Sequence, residues 1–519
     1  MVVWLTYTVV LLVVRVIYEY AVRDRKLPPG PPRLPLIGNV HQAPREHAWK
    51  TYRAWSKQYG PIMSAQFGPN TVIIITDAQI ARDLLDKRGK IYSDRPRMVM
   101  VSENLTKGLH LLLRRYDDRY RLHQRMEAPF LSPRASQAYV PIQDLESKQL
   151  LHEFLTSNDF SKHFSRFSAT LVYSLAYGKR LVTGEEPILH QAHQVNLNFA
   201  ESARIGNWTV DVMPFLNRLP ECIAPWKRIG NDYFMQESAL HLQNFRDGLN
   251  SPAWNWTKEF VQSKEAKTMS DLEIAYNLGI LADAGVDTTW TQMQIFILAM
   301  VRYPDVVRKA QEEIDRVVGS ARLPDIDDKP NLPYLLALLE ETLRWRSLTP
   351  MGIPHAVMED DEYGGYRIPK GATVLALPAC MGHDEQNFDD PLEFRPERWL
   401  EKGDGRFTNF FGYGRRICTG RHIARNSLFL LMSRILWAFH IHPAQDEHGN
   451  EKEIDDQAFT SGFISRPCSF QVEFHPRSAQ HRDIIEREWD AAEKDINILL
   501  KAIDEHQQRV RHDQSGAAS

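Results

Sequence analysis

Cysteine is scarce in this chain: four in 519 residues, at Cys222, Cys380, Cys418 and Cys468, with no CxxC pair and no regular spacing. Their scarcity excludes a disulfide-stapled scaffold and a zinc finger, and places the bulk of the chain in a reducing compartment. A dominant charge sign is lacking as well, since 63 Lys and Arg face 66 Asp and Glu. No net field draws the chain to nucleic acid or repels acidic substrates, so no nucleic-acid partner is expected. There is no internal repeat and no low-complexity stretch. What is present is a globular composition, 43% hydrophobic and 10% aromatic, enough for one large core or two moderate ones.

The N-terminus departs from this pattern. Residues 2–20 are apolar except for Thr6, Thr8, Arg15 and Glu19, a length that suits a thin or tilted membrane span. No positively charged start or small-x-small cleavage site marks a secretory leader. Arg23, Arg25 and Lys26 follow directly, and by the positive-inside rule they stay cytosolic with the bulk of the chain. The reading is a single transmembrane helix over residues 1–22, then a basic, proline-rich hinge over 23–39 in which Pro28, Pro29, Pro31, Pro32 and Pro35 stop the helix. Sequons at Asn104, Asn207 and Asn255 would matter only in the reverse orientation and are read as chance matches.

Beyond the hinge, residues 60–76 alternate and are β-branched around a Gly-Pro-Asn turn, which predicts a hairpin. From about 77 to 350 helical periodicity dominates, so the fold class is mainly α with a small β subdomain. The best-marked helix opens at Ser270 with Glu273 as a capping box and runs to Tyr303-Pro304; Pro304 opens another that ends near Gly319. From Arg477 the composition turns charged, and Ile485, Trp489, Ala492, Ile496, Leu499 and Ile503 form one apolar seam. A tail helix over 477–519, folded back on its own domain, is favoured over a coiled-coil partner site.

The decisive stretch is Phe411-Gly412-Tyr413-Gly414-Arg415-Arg416-Ile417-Cys418-Thr419-Gly420. Its glycines let the backbone bend tightly, and a helical run from Arg421 follows, so Cys418 sits just before a helix N-terminus whose amides and dipole favour a thiolate. The other three cysteines read as small buried hydrophobes. A chance match to the specified positions of this loop is roughly 10⁻⁹ per start position at average composition.

These residues resemble the haem loop of the cytochrome P-450 superfamily. Three other segments carry the same resemblance: Glu341-Thr342-Leu343-Arg344, Phe394 to Trp399 containing Arg398, and Ala284-Gly285-Val286-Asp287-Thr288-Thr289 near the middle of the long helix. The resemblance covers roughly residues 28–475, with its motifs in order. It implies an α+β cytochrome P-450 fold with a haem-thiolate monooxygenase domain over 40–476. Haem b would be held by Cys418 as metal ligand, with Phe411, Gly412, Gly414, Arg416, Gly420, His355 and Tyr120 binding the cofactor. A thiolate on haem iron donates electron density that favours O–O cleavage. Glu341, Arg344 and Arg398 would form a structural charge cluster behind the haem. Gly285 would open the helix surface for dioxygen, Thr288 would offer a hydroxyl and Asp287 would relay protons. An early-helix family pattern departs here, with Tyr120-Arg121-Leu122-His123-Gln124 in its place; whether Gln124, His123 or Arg125 makes the second propionate contact stays open.

The implied activity inserts one oxygen atom from O2 into a small lipophilic substrate, a secondary metabolite such as a terpenoid, polyketide or alkaloid, in an apolar pocket drawn from Ile280, Leu281, Ala284, Met351, Ile353 and Phe463. Electrons would come from a separate NADPH-cytochrome reductase, for which Arg114, Arg115, Arg119, Arg121, Arg125, Arg415 and Arg416 offer a basic face. The implied location is the endoplasmic reticulum membrane, with the catalytic domain cytosolic. Two alternatives remain: oxidative coupling or rearrangement without net insertion, and a haem sensor without turnover.

Overall fold

The computed structural model describes residues 26–35, 37–204, 206–401 and 410–516, together with positions 4, 7, 10, 11 and 14. The expected anchor therefore lies almost wholly outside the described residues, as do Arg23 and Arg25. Among the described residues no helix is long and apolar enough to cross a membrane.

The main helices are α1 (Asp118–Leu131), α2 (Val140–Phe154), α3 (Phe160–Tyr177), α4 (Pro187–Ser202), α5 (Pro225–Asn250), α6 (Asp271–Arg302), α7 (Pro304–Val317), α8 (Pro333–Trp345), α9 (Arg421–Ala438), α10 (Ala479–Asp490) and α11 (Ile496–Gly516). Strands are few and short: β1 (Ile62–Phe67), β2 (Asn70–Ile75), β3 (His355–Ala356), β4 (Asp361–Tyr363), β5 (Tyr366–Ile368), β6 (Thr373–Ala376), β7 (Phe439–Pro443) and β8 (Val472–Pro476). The predicted hairpin is β1–β2, antiparallel with Ile62 opposite Ile75 and Phe67 opposite Asn70, and Gly68 turns it at φ +57°. A parallel β6 and an antiparallel β3 complete a sheet in the order β1-β2-β6-β3. Residues 77 to 350 are helical, as their periodicity predicts.

The core is built on α6, which runs about 48 Å at 1.5 Å per residue through the domain. Its apolar positions pack against α3, α8 and α9 in one large cluster, which is why a helix of that length tolerates so few exposed residues. Ser270 accepts a hydrogen bond from the Glu273 amide at 3.2 Å, as a capping residue should. The Glu273 side chain, however, turns to His123 and Arg119 rather than back to Ser270. The expected capping box is thus half formed, because charged partners on α1 compete better for that carboxylate than one backbone amide. Tyr303 ends α6, Pro304 opens α7, and Gly319 at φ +72° closes the turn after it.

The tail folds back on its own domain, as expected, but as two helices. α10 is capped by Ser478, breaks at residues 491–495, and α11 resumes across α2. Ile485, Leu500 and Ile503 are buried and the Trp489 ring lies 5.8 Å from that of His152, tilted by 32°. The reading of the other cysteines also needs adjustment. Cys380 alone of the three remaining cysteines is buried, while Cys222 and Cys468 are exposed; all four are free. Asn104 and Asn255 are buried, so neither sequon can carry a glycan in this fold.

Candidate functional site

The loop before α9 is shaped by glycines that nothing else could replace. Gly412 adopts φ +87° and Gly414 φ +54°, and a Cβ on Gly414 would stand 2.2 Å from the Leu85 carbonyl oxygen. The loop closes where the Cys418 amide donates to the Phe411 carbonyl at 2.8 Å. Gly420 is the residue before α9, and no atom would meet a Cβ there within 4 Å. Tyr413 is buried below the loop with its hydroxyl on Met381 Sδ at 3.3 Å.

Cys418 is enclosed by protein on every side, yet its side chain is accessible by surface area. The two observations agree if the sulfur faces an internal space rather than bulk solvent. Burial pushes its thiol above the ordinary range, while the amides of Gly420 and Arg421 and the Arg421 charge pull it down. Burial wins. The helix amides favour the thiolate, as expected, against the cost of burial, and a coordinated metal ion would complete its deprotonation.

Beside this loop lies a cluster of buried cations. Arg416 gives Nε to the Ser93 carbonyl at 2.7 Å and a terminal nitrogen to the Arg114 carbonyl at 2.6 Å, and its guanidinium lies 3.7 Å from the Tyr120 ring centre. Arg95, which the sequence analysis did not single out, is buried and donates to the carbonyls of Leu112 at 2.8 Å and Pro354 at 2.6 Å. His355, on β3, gives its Nδ1 to the Tyr92 carbonyl at 2.7 Å. Burial and the neighbouring Arg416 push Arg95 down to about 9. Burial and both arginines push His355 down to about 3. The nearest acid, Asp94, is already paired with Arg115 at 2.8 Å. Buried cations that repel one another without a free counter-ion make a site for an anionic guest. A porphyrin carrying two propionates would fit that demand, with Cys418 to bind its metal ion. His355 is neutral in this setting, with its Nδ1 hydrogen committed to the Tyr92 carbonyl.

Tyr120 and Gln124 both reach the Arg415 carbonyl, at 3.3 and 3.1 Å. Of the three residues left open, Gln124 is thus the one at the loop. His123 is buried against Glu273 at 2.7 Å and Arg125 points to Glu265 at 4.0 Å.

On α6, Ala284 is accessible although its neighbours Ala282 and Val286 are buried, and Thr288 is partly accessible one turn on. Accessible positions on so deeply buried a helix mark the side that opens on a gap in the packing. Thr288 Oγ1 donates to the Ala284 carbonyl at 2.8 Å. Gly285 does not open that cleft. A Cβ there would stand 2.3 Å from Val172 Cγ1, so the glycine serves the close approach of α3 to α6. Asp287 is buried with Oδ1 unpartnered, and its Oδ2 stands 3.6 Å from Arg466, whose guanidinium stacks 4.5 Å above Trp290. Burial pushes this carboxyl up, and Arg466 and His193 pull it part of the way back.

Glu341, Arg344 and Arg398 come together in the core behind the loop. Arg344 Nε meets Glu341 Oε2 at 2.7 Å and Arg398 Nε meets Glu341 Oε1 at 3.1 Å. The arginines also bind the carbonyls of Gly382, Pro391 and Asp389, which pins the segment leading to the loop.

The basic face is largely spent on acidic partners, some near and some distant in sequence. Arg115 pairs with Asp94, Arg119 with Glu273, Arg121 with Asp118, and Arg416 is part-buried at the loop. Arg125 and Arg415 remain exposed. Glu273 is pushed up by burial but held down to about 2 by hydrogen bonds from His123 and Arg119. A carboxyl depressed in the folded state stabilises it above its unfolded pKa, and that contribution fades as pH falls from about 5 toward 2. Glu273→Gln should therefore lower the melting temperature at pH 7 and lower it much less near pH 2.5, in paired thermal melts. An equal loss at both pH values would remove the ion pairs from the account.

The Cytochrome P450 family profile matches residues 28–474. Among similar proteins, the chain is 41% identical over 480 residues to Cytochrome P450 monooxygenase drtD of Aspergillus calidoustus, covering 92% of this chain and 91% of that protein. It is 40% identical over 479 residues to Cytochrome P450 monooxygenase FrzL of a Cladobotryum species, covering 92% of each. It is 39% identical over 485 residues to the Echilunin cytochrome P450 monooxygenase of Aspergillus ruber, covering 92% of this chain and 89% of the relative.

Proposed function

Because the chain belongs to the cytochrome P450 family, whose members bind haem iron through a cysteine thiolate, we propose that it inserts one oxygen atom from O2 into a small lipophilic molecule at a haem b held by Cys418. Its enzyme class is that of a P450 monooxygenase, an oxidoreductase. The observation that carries the site assignment is the accessible but enclosed Cys418 sulfur, two residues from part-buried Arg416, with buried Arg95 close to that guanidinium and no free counter-ion for either among the described residues. Haem with a thiolate ligand supplies cleavage of dioxygen, given two electrons and two protons.

The chain's own residues position and protonate. Arg95, Arg416, His355 and Tyr120 would hold the carboxylates of the haem, and the glycines of the loop present Cys418, which would bind its iron. With its hydrogen given to Ala284, Thr288 turns oxygen lone pairs to the cleft, where they can steady an O–H group. Asp287, buried and with one oxygen free, holds a proton more readily than a surface aspartate and stands next to Thr288 in the chain. Arg466 orients its other oxygen. Side chains of Ile280, Ala284 and Phe463 bound the apolar cleft, with Phe463 edge-on to Phe199 at 6.2 Å.

The substrate class is a secondary metabolite, a terpenoid, polyketide or alkaloid; the fungal relatives support this. A separate NADPH-cytochrome reductase would deliver electrons near exposed Arg125 and Arg415. Residues 1–22 would anchor the chain in the endoplasmic reticulum membrane with the catalytic domain cytosolic, supported by their apolar run and the basic residues after it.

Thr288→Ala tests the proton-delivery role. Product formed per NADPH should fall at least about tenfold while NADPH is still consumed and peroxide accumulates. Unchanged coupling, measured as product against NADPH with labelled oxygen, would take Thr288 out of the mechanism.

A further inference from the structure

Helix α5 lays His241 flat against the backbone of α6. The contact exists because residue 279 is glycine: a Cβ there would stand 2.2 Å from the ring Nδ1 and 2.3 Å from Cε1. The imidazole is 1% exposed, and neither of its nitrogens has a hydrogen-bond partner. Nε2 stands 3.6 Å from Glu237 on its own helix and 3.7 Å from Asp283 on α6. The Tyr276 hydroxyl donates to Glu237 at 3.2 Å, and its ring meets the imidazole edge-on at 4.9 Å. Tyr173 and Tyr177 close the cluster from α3, and Asp287 lies one turn along α6.

Two acids therefore share one imidazole, and with all three ionised the group carries one net negative charge. Glu237 and His241 are sealed in. Asp283 is not: its side chain retains 13% of its surface although protein surrounds it, and the next residue, Ala284, opens on the internal cleft. As with Cys418, an accessible atom in an enclosed position looks inward. Burial pushes Asp283 up to about 7, against the pull of His241. A carboxyl of that kind, bordering an otherwise apolar cleft, needs a donor from whatever fills the space.

We propose that Asp283, braced from behind by His241 and Glu237, is a substrate anchor that accepts a hydrogen bond from an N–H or O–H group on the apolar molecule held in the cleft. The inference rests on reading that cleft as the monooxygenase pocket, and it narrows the substrate class to lipophilic molecules carrying a hydrogen-bond donor. It also gives Gly279 a role, since any larger residue would push His241 away and leave the acid unsupported.

The probes are oxindole, which carries one N–H, and N-methyloxindole, which does not, titrated by calorimetry into the haem-loaded enzyme. The wild type should bind oxindole at least tenfold more tightly, because a site built to pair with a donor discriminates strongly against its absence. Asp283→Leu should erase the difference, and Asp283→Asn, whose amide oxygen still accepts, should keep most of it. Equal affinity for the two probes in the wild type, binding of neither, or a preference that survives Asp283→Leu overturns the proposal. The carbon monoxide spectrum of each preparation separates the two readings: its characteristic band in all three proteins leaves the haem site standing whatever the probes do, whereas its absence from the wild type defeats the haem reading itself.

Discussion

Replacing Cys418 by alanine abolishes the long-wavelength Soret band of the reduced, carbon-monoxide-bound protein, and with it all oxygen insertion. The loss is complete rather than graded, since no second thiol stands at the loop: Cys380 is buried beside Trp49, and Cys222 and Cys468 are on the surface. The alanine variant should still fold, because the loop is closed by the backbone bond from residue 418 to Phe411 and by the glycine conformations, neither of which needs the sulfur. Difference spectra of protein expressed with excess haem precursor check this. A surviving band would move the axial ligand elsewhere.

Glu341→Leu should have the largest effect on stability. One carboxylate receives two N–H groups of Arg344, one of Arg398, the Arg395 amide and the Trp399 indole, at 2.7 to 3.1 Å. Removing it leaves two guanidiniums buried without compensation. Breaking a buried pair from one side typically destabilises by about 3–5 kcal/mol, a large share of the 5–15 kcal/mol that holds a typical protein folded. Because Arg344 and Arg398 also grip the backbone leading to the haem loop, haem content should fall together with stability. Denaturant unfolding and the haem-to-protein ratio read the two effects. A midpoint within experimental error of the wild type would show that the cluster is dispensable.

Legibility in the sequence followed the range of the interactions. The hairpin at 62–75, the ends of α6 and the turn at Gly412 and Gly414 depend on residues close in the chain, and local patterns located each of them. The Glu341 cluster was reached through the family resemblance of its two segments, since the spacing of Glu341 and Arg344 alone fits any surface ion pair. What escaped depends on contacts between distant segments. Arg95 joins the cation cluster through the carbonyls of Leu112 and Pro354, and no spacing in the sequence announces that meeting. The basic stretch looked free because its partners Asp94 and Glu273 lie elsewhere in the chain. Gly285 carried a motif role in the sequence and a packing role in the fold, for the reason that Val172 arrives from α3. Asp283 could have been noticed: it sits four residues before Asp287, which on a helix places two acids on one face. Only the structure adds His241 behind it.

The account depends on a sulfur bonded to iron, and iron K-edge X-ray absorption of the holoenzyme reads that bond directly. One sulfur scatterer alongside the porphyrin nitrogens in the wild type, lost in Cys418→Ala, is the expected result. A wild-type first shell made up of nitrogen and oxygen alone would contradict it.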